Sequence, residues 1–247
     1  MVLEKDLWKK LVAELVGTFI LTAAVVFPAI ALRDAGLGAF LFIMFTAGLG
    51  LALAVWLFRD ISGGHANPAV TFGMMLIRKM SVVTGVLYWV AQLAGAVLAT
   101  YYARATFKLD SSAPADLGNF GTALPTPGYK DAQIIMAEAL GVFLLVSVVY
   151  AVMEMKDKVL AGLAIGFTLL IGVVMTAPVA GGALNPAREF GPMLVANVFK
   201  STYVWYYLVG PFAGAVVAAL LYMLLEGKLK LGRASASSRR SKANDED

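Results

Sequence analysis

A chain of 247 residues that is 60% hydrophobic and only 15% charged, with a mean hydropathy of +0.79, is too apolar for an ordinary water-soluble domain and calls for a lipid surround. Its formal net charge of +4 is modest and spread over many segments, so no nucleic-acid partner is needed to explain it. The absence of cysteine, with a single histidine, removes disulfides, thiolate metal sites and thiol nucleophiles. Neither a cofactor, a metal nor a catalytic set is expected.

Taken in order, apolar runs long enough to cross about 30 Å of hydrocarbon as helices fall at about 11–32, 37–58, 81–103, 131–153, 159–178 and 201–225. Residues 1–10 form a short lead-in. The first run follows Lys9 and Lys10 but is too long and Val-rich for a signal peptide and lacks a small-residue cleavage site, so it reads as a retained span. After the second run comes GGHANPAV, residues 63–70, then a stretch too short to cross the bilayer, read as a half-helix over 68–79. Residues 104–130, rich in Pro, Gly, Ser and Asp, read as an extracellular connection. After the fifth run the pattern returns as GGALNPAR, residues 181–188, with a second half-helix over 186–196. The tail, 226–247, is polar and mixed in charge and is expected to be disordered, with Arg and Lys available to anionic lipid.

The chain repeats itself. AELVGTFILTAAVV from Ala13 matches AEALGVFLLVSVVY from Ala137, placing Glu14 opposite Glu138, and LAGAVLA from Leu93 matches FAGAVVA from Phe212. Each half, 11–103 and 131–225, holds three spans and one half-helix. Three is odd, so the halves cross the membrane in opposite senses. With both termini in the cytoplasm, fourteen of the 20 Lys and Arg lie inside, as the positive-inside rule requires.

Asn is a favoured helix N-cap and Pro a favoured first helical residue, so Asn67-Pro68 and Asn185-Pro186 mark helix starts after irregular glycine loops. Such backbone is tolerated at membrane depth only where it packs in protein or lines a watery cavity. The loop carbonyls of Gly63, Gly64, Ala66, Gly181 and Ala183 are therefore expected to face a pore. Two half-helices entering from opposite faces bring their positive ends together, each with an Asn amide. That centre repels cations, including hydronium, and donates hydrogen bonds to neutral oxygens.

These features together resemble the aquaporin, or major intrinsic protein, family: paired Asn-Pro-Ala half-helices, Arg188 after the second, and a Glu in the first span of each half. The resemblance runs from about residue 8 to 225 and implies an all-α membrane protein of six transmembrane helices and two re-entrant half-helices. It also implies a passive channel for water and small neutral solutes, a homotetramer with one pore per protomer, and a multi-pass protein of the cell membrane. Asn67 and Asn185 would be central donors, with Pro68, Ala69, Pro186 and Ala187 interlocking the tips. Glu14 and Glu138 would accept bonds from the re-entrant loops, against a proton-relay or span-end alternative. Arg188 would form an outer constriction; a structural ion pair with Glu189 is the competing reading. His65 would either tune the inner vestibule or hydrogen-bond its own loop. The remaining constriction positions fall at Ala47, Val173 and Gly182, where water-selective relatives carry bulkier or more polar residues. This predicts a wide filter admitting glycerol, urea or ammonia beside water, unless Phe42 or Phe45 swings in. Glu189 resembles the Asp of glycerol facilitators, whereas Tyr207 and the short connection before the last span look like water channels. A secondary transporter would have to couple ions through Glu14 or Glu138. A closed, purely structural membrane protein is the third possibility. Gly48, Gly95, Gly162, Gly166 and Gly214 read as close-packing positions.

Overall fold

In a computed structural model, which describes residues 6–32, 35–109, 120–199 and 201–227, the chain forms eight helices and no strand among those residues. They are α1 (Leu7–Ala31), α2 (Gly36–Ser62), α3 (Pro68–Leu76), α4 (Val82–Thr106), α5 (Asp131–Val152), α6 (Lys158–Ala180), α7 (Pro186–Val195) and α8 (Ser201–Leu225). Six are long and apolar enough to cross a membrane. α3 and α7, with 9 and 10 residues, extend about 15 Å at 1.5 Å per residue and reach only half-way. Both stop earlier than expected, at Leu76 rather than 79 and at Val195 rather than 196. The tail expected to be disordered, 226–247, lies outside the described residues except for Glu226 and Gly227.

Local chemistry fixes the helix ends. α2 and α6 each stop at the first glycine of a Gly-Gly pair, Gly63 at φ +95° and Gly181 at φ +80°, whose N–H groups return to Arg59 O and Ala177 O at 3.0 Å. This left-handed stop is nearly free only for glycine. Starts are capped by side chains: Ser81 Oγ accepts from Thr84 N at 3.1 Å, and Asp157 Oδ1 from Val159 N and Leu160 N at 2.9 and 3.0 Å.

α1 packs on α2 and α4, α5 on α6 and α8, and the halves meet where α2 crosses α6. The five glycines expected to allow close approach do so. A Cβ on Gly48 would stand 2.7 Å from Gly166 O, one on Gly166 would strike Gly48 O, and one on Gly162 would stand 2.8 Å from Ala52 O. Gly95 lies against Leu15 O and Gly214 against Ala139 O, the same contact in the two halves. Without a hydrophobic drive between helices in lipid, this backbone approach is what holds them by dispersion. Large apolar side chains such as Trp8, Leu37, Phe45, Phe167 and Trp205 remain on the outer surface, where lipid meets them. At the end of the molecule towards which α3 runs, Lys79 pairs with Glu154 at 3.1 Å and Lys158 with Asp60 at 3.0 Å. Arg59 there donates to Val152 O and Met153 O at 2.7 and 2.9 Å.

Candidate pore and its constriction

The two re-entrant loops meet tip to tip through a reciprocal exchange. Asn67 Nδ2 donates to Leu184 O at 2.9 Å, and Asn185 Nδ2 donates to Ala66 O at 2.8 Å. Each asparagine also caps its own half-helix. Asn67 Oδ1 accepts from Ala69 N at 2.9 Å; Asn185 Oδ1 accepts from Ala187 N at 3.0 Å and Arg188 N at 3.1 Å. Pro68 and Pro186, both buried, occupy the first helical positions, where a missing N–H has no helical partner to lose. Ala66 and Leu184 sit at φ 46° and 52°, a left-handed conformation costing non-glycine residues about 1–2 kcal/mol. That cost is borne at equivalent places in both halves, where it turns each carbonyl towards the opposite asparagine.

A buried carboxylate holds each loop from behind. Glu14 Oε1 accepts from Ser62 Oγ at 2.6 Å and His65 N at 2.9 Å, and its Oε2 accepts from Ala66 N at 2.8 Å and Gln92 Nε2 at 2.7 Å. Glu138 Oε1 and Oε2 accept from Ala183 N and Leu184 N at 2.8 and 2.7 Å. A second pair of supports is equally symmetric: Tyr88 OH donates to Ser62 O at 3.0 Å and Tyr207 OH to Ala180 O at 2.7 Å. Trp89 Nε1 adds a bond to Pro68 O at 3.0 Å.

On the α7 side of this junction lies a cavity of about 250 Å³ that brings together Ala47, Val173, Gly182, Arg188 and Asn185, with Gly181 and Ala183 beside them. Its apolar wall is built from Phe40, Ile43 and Met44 of α2, Leu21 and Val25 of α1, and Leu169 and Ala177 of α6. A Cβ on Gly182 would stand 3.0 Å from Val173 Cγ1 and 3.2 Å from Ala177 Cβ, so the missing side chain opens this wall. Phe42 and Phe45 are 53% and 47% exposed on the outer surface and are not part of this wall.

Arg188 lines the cavity and is also ion-paired with Glu189. Its Nη2 donates to Gly121 O at 2.9 Å, while Glu189 Oε2 accepts from Ala123 N at 3.0 Å.

The Ala66 carbonyl accepts from Asn185, as that of Leu184 at the matching place accepts from Asn67. Gly63 sits against the His65 ring and Gly64 against the backbone of Val55 and Ala54, on the other side of the junction from this cavity. His65 is 6% exposed, with Nδ1 3.0 Å from Thr71 Oγ1 of α3 and its ring 5.5 Å from that of Tyr88 of α4, so the ring bonds to the half-helix rather than to its own loop. The connection expected over 104–130 is not purely external: α4 continues to Thr106, and residues 121–124 descend to line the cavity. Gln92, Ser62 and Thr71 also support the first loop without a sequence signal of their own. Phe40, Met44, Ala47 and Leu51 share one helical face, a spacing that could have revealed the first two; the loop contacts left no periodic signal. Among the described residues no cluster of three His, Asp or Glu could hold a metal.

Six spans, two half-helices joined at their tips and a cavity beside the junction define a membrane channel, and the chain belongs to the major intrinsic protein family, whose model matches residues 1–222. Members of that family are passive channels and not enzymes. Among similar proteins, a probable aquaporin TIP2-2 of Oryza sativa subsp. japonica is 36% identical over 232 residues, covering 87% of this chain and 86% of that protein. Aquaporin AqpM of Methanothermobacter thermautotrophicus is 35% identical over 244 residues, covering 89% and 98%. The X-ray structure of the aquaglyceroporin from Plasmodium falciparum shares the fold, with a TM-score of 0.79 at 22% identity, covering 87% of this chain and 95% of that one.

Proposed function

We propose that the chain conducts water and small neutral solutes of the glycerol, urea and ammonia class through a pore passing Asn67, Asn185 and Arg188, and excludes ions and protons. The observation that carries the solute class is the cavity wall: Ala47, Val173 and Gly182 face Arg188 where bulkier groups would close the passage. A solute with a carbon skeleton can lay it on the apolar wall and turn its hydroxyls to the guanidinium, which offers five donors and stays charged at any ordinary pH. Each Asn amide carries two N–H groups, and one is bonded across the junction; the other serves the passing oxygen. An oxygen accepting there points its hydrogens away from the centre on both sides, which breaks a chain of proton transfer. The two half-helix starts add about half a positive charge each, raising the barrier for cations.

A coupled transporter needs an acid available to an ion. In Glu14 and Glu138 every carboxylate oxygen accepts at least one bond from the loops or their neighbours, which favours the channel. We place both termini in the cytoplasm of a cell-membrane protein and four protomers in the assembly, each with its own pore. Light scattering of proteoliposomes tests the solute class: the wild type should pass glycerol and urea, and Ala47→Phe should reduce them more than water. Equal loss across the panel would refute the wide filter. Mass measurement of the detergent-solubilised protein tests the tetramer.

A further inference from the structure

We infer that Arg59 places a second guanidinium in the wall of the pore, in the half opposite Arg188. With the end of α5 it forms a narrow point that solutes of the glycerol and urea class pass in series with the first. The inference rests on the proposed pore and extends it to the other mouth.

The internal repeat locates the residue. Counted back from the two Gly-Gly pairs, Leu51, Val55 and Arg59 of α2 answer to Leu169, Val173 and Ala177 of α6, the three α6 residues that line the cavity beside Arg188. The backbone repeats the match. Arg59 O and Ala177 O accept the N–H groups of Gly63 and Gly181, each at 3.0 Å. A Cβ on Gly182 would stand 3.3 Å from Val173 Cα and 3.2 Å from Ala177 Cβ, and one on Gly64 would stand 3.0 Å from Val55 Cα and 3.4 Å from Arg59 N. Each loop therefore lies on the same face of its helix. Where the wall beside Arg188 carries the methyl group of Ala177, the opposite half carries an arginine.

That arginine reaches across. α2 and α5 each pack on α6, yet Arg59 Nη2 donates to Val152 O and Met153 O at the end of α5, at 2.7 and 2.9 Å. The side chain thus spans the gap that α6 holds open between them. Its carbonyl partners belong to the negative end of a helix dipole, but the acids beside it are engaged elsewhere: Asp60 is paired with Lys158 and Glu154 with Lys79. Arg59 Nη1 is buried without a hydrogen-bond partner among the described residues. A cap on α5 needs only the nitrogen that is already bonded. The other is a fixed donor on a group that stays charged, and it is satisfied when an oxygen comes to it, as that of a passing solute does.

The experiment measures the ratio of glycerol to water permeability in proteoliposomes for the wild type, Arg59→Ala and Arg59→Met, and for the same two substitutions combined with Arg188→Ala. The ratio is independent of how many channels insert. Resistances in series add, so the second narrow point shows most once the first has been widened. In the Arg188→Ala background, Arg59→Ala should raise the ratio about fivefold, a barrier change of about 1 kcal/mol; beside an intact Arg188 the rise should be smaller. Arg59→Met, which keeps the bulk and removes the donors, should lower the ratio in the Arg188→Ala background. A lower thermal midpoint with the ratio unmoved by either substitution would make Arg59 a cap of α5 alone, and equal changes for Ala and Met would remove the donor from the account; either result overturns the inference while the pore stands. If the wild type passes water and glycerol no faster than protein-free vesicles do, the pore itself is wrong and the inference falls with it.

Discussion

The two re-entrant loops share one design, yet the first is wrapped in side-chain hydrogen bonds and the second is nearly bare. Behind the first, Glu14 gathers Ser62, Gln92 and two backbone amides, Gln92 Nε2 also reaches Thr71 Oγ1 at 2.9 Å, and His65 leans on Thr71. Behind the second, Glu138 receives two amides, and the space is filled by Leu184 packed against Gly141 and Gly172. What is common to both, the crossed asparagines, the glutamates and the tyrosines Tyr88 and Tyr207, is the scaffold that joins the tips. What differs faces different tasks. The second loop lines the cavity beside Arg188, and there a polar network would put its own groups in the way of solute.

The largest break in this comparison should come from the glutamates. Glu14→Leu removes the acceptor of four donors, of which Gln92 Nε2 keeps Thr71 Oγ1 and Ser62 Oγ has Phe58 O within 3.5 Å, and Glu138→Leu that of two, at about 1–3 kcal/mol per buried donor left unsatisfied. Thermal unfolding followed by size-exclusion chromatography should therefore find Glu14→Leu the less stable variant; the reverse order would mean that the denser network is not what holds the first loop. Next come the asparagines. Asn185 caps two amides and Asn67 one, so Asn185→Ala should lower the thermal midpoint more, with each cap worth about 1 kcal/mol. Equal midpoints would erase that distinction. Ala47→Phe sharpens the contrast in function: it should cut glycerol and urea flux by about tenfold, as a barrier increase of roughly 1.4 kcal/mol implies, with a smaller loss for water. The smallest effect should be symmetric. Tyr88→Phe and Tyr207→Phe each remove one hydroxyl bond to a loop carbonyl, costing about 1 kcal/mol apiece, and a clear inequality would show that these two supports are not equivalent.

The sequence made the scaffold legible because its signals are local or repeated. Asn-Pro marks a helix start, Gly-Gly a helix stop, and Glu14 with Glu138 stands at matching places in two visible copies. Helix ends slipped by a few residues where no glycine marks the stop, as at Leu76. The cavity lining was legible in part: Ala47, Val173, Gly182 and Arg188 could be counted from the asparagines, and they come together around one cavity. Residues 121–124 could not be found in this way. Their role depends on a non-local descent of a Pro- and Gly-rich connection onto α6, fixed by contacts such as Thr126 N to Val179 O at 3.1 Å, and neither periodicity nor composition encodes that. Leu184 stands opposite Ala66 in the repeat but differs in size, and the crossed asparagine bonds, with φ 46° and 52° at the two residues, show that their carbonyls do the same work.

The central claim is a passive, wide, ion-excluding pore, and one experiment addresses it most directly. Purified protein in liposomes, challenged with an osmotic step of glycerol in the absence of any ion gradient, should first shrink the vesicles and then let them swell back as glycerol enters, while proton flux under a clamped potential stays at the level of empty vesicles. Re-swelling no faster than in protein-free vesicles, re-swelling that saturates or requires an ion gradient, or a proton leak that accompanies it would contradict the account.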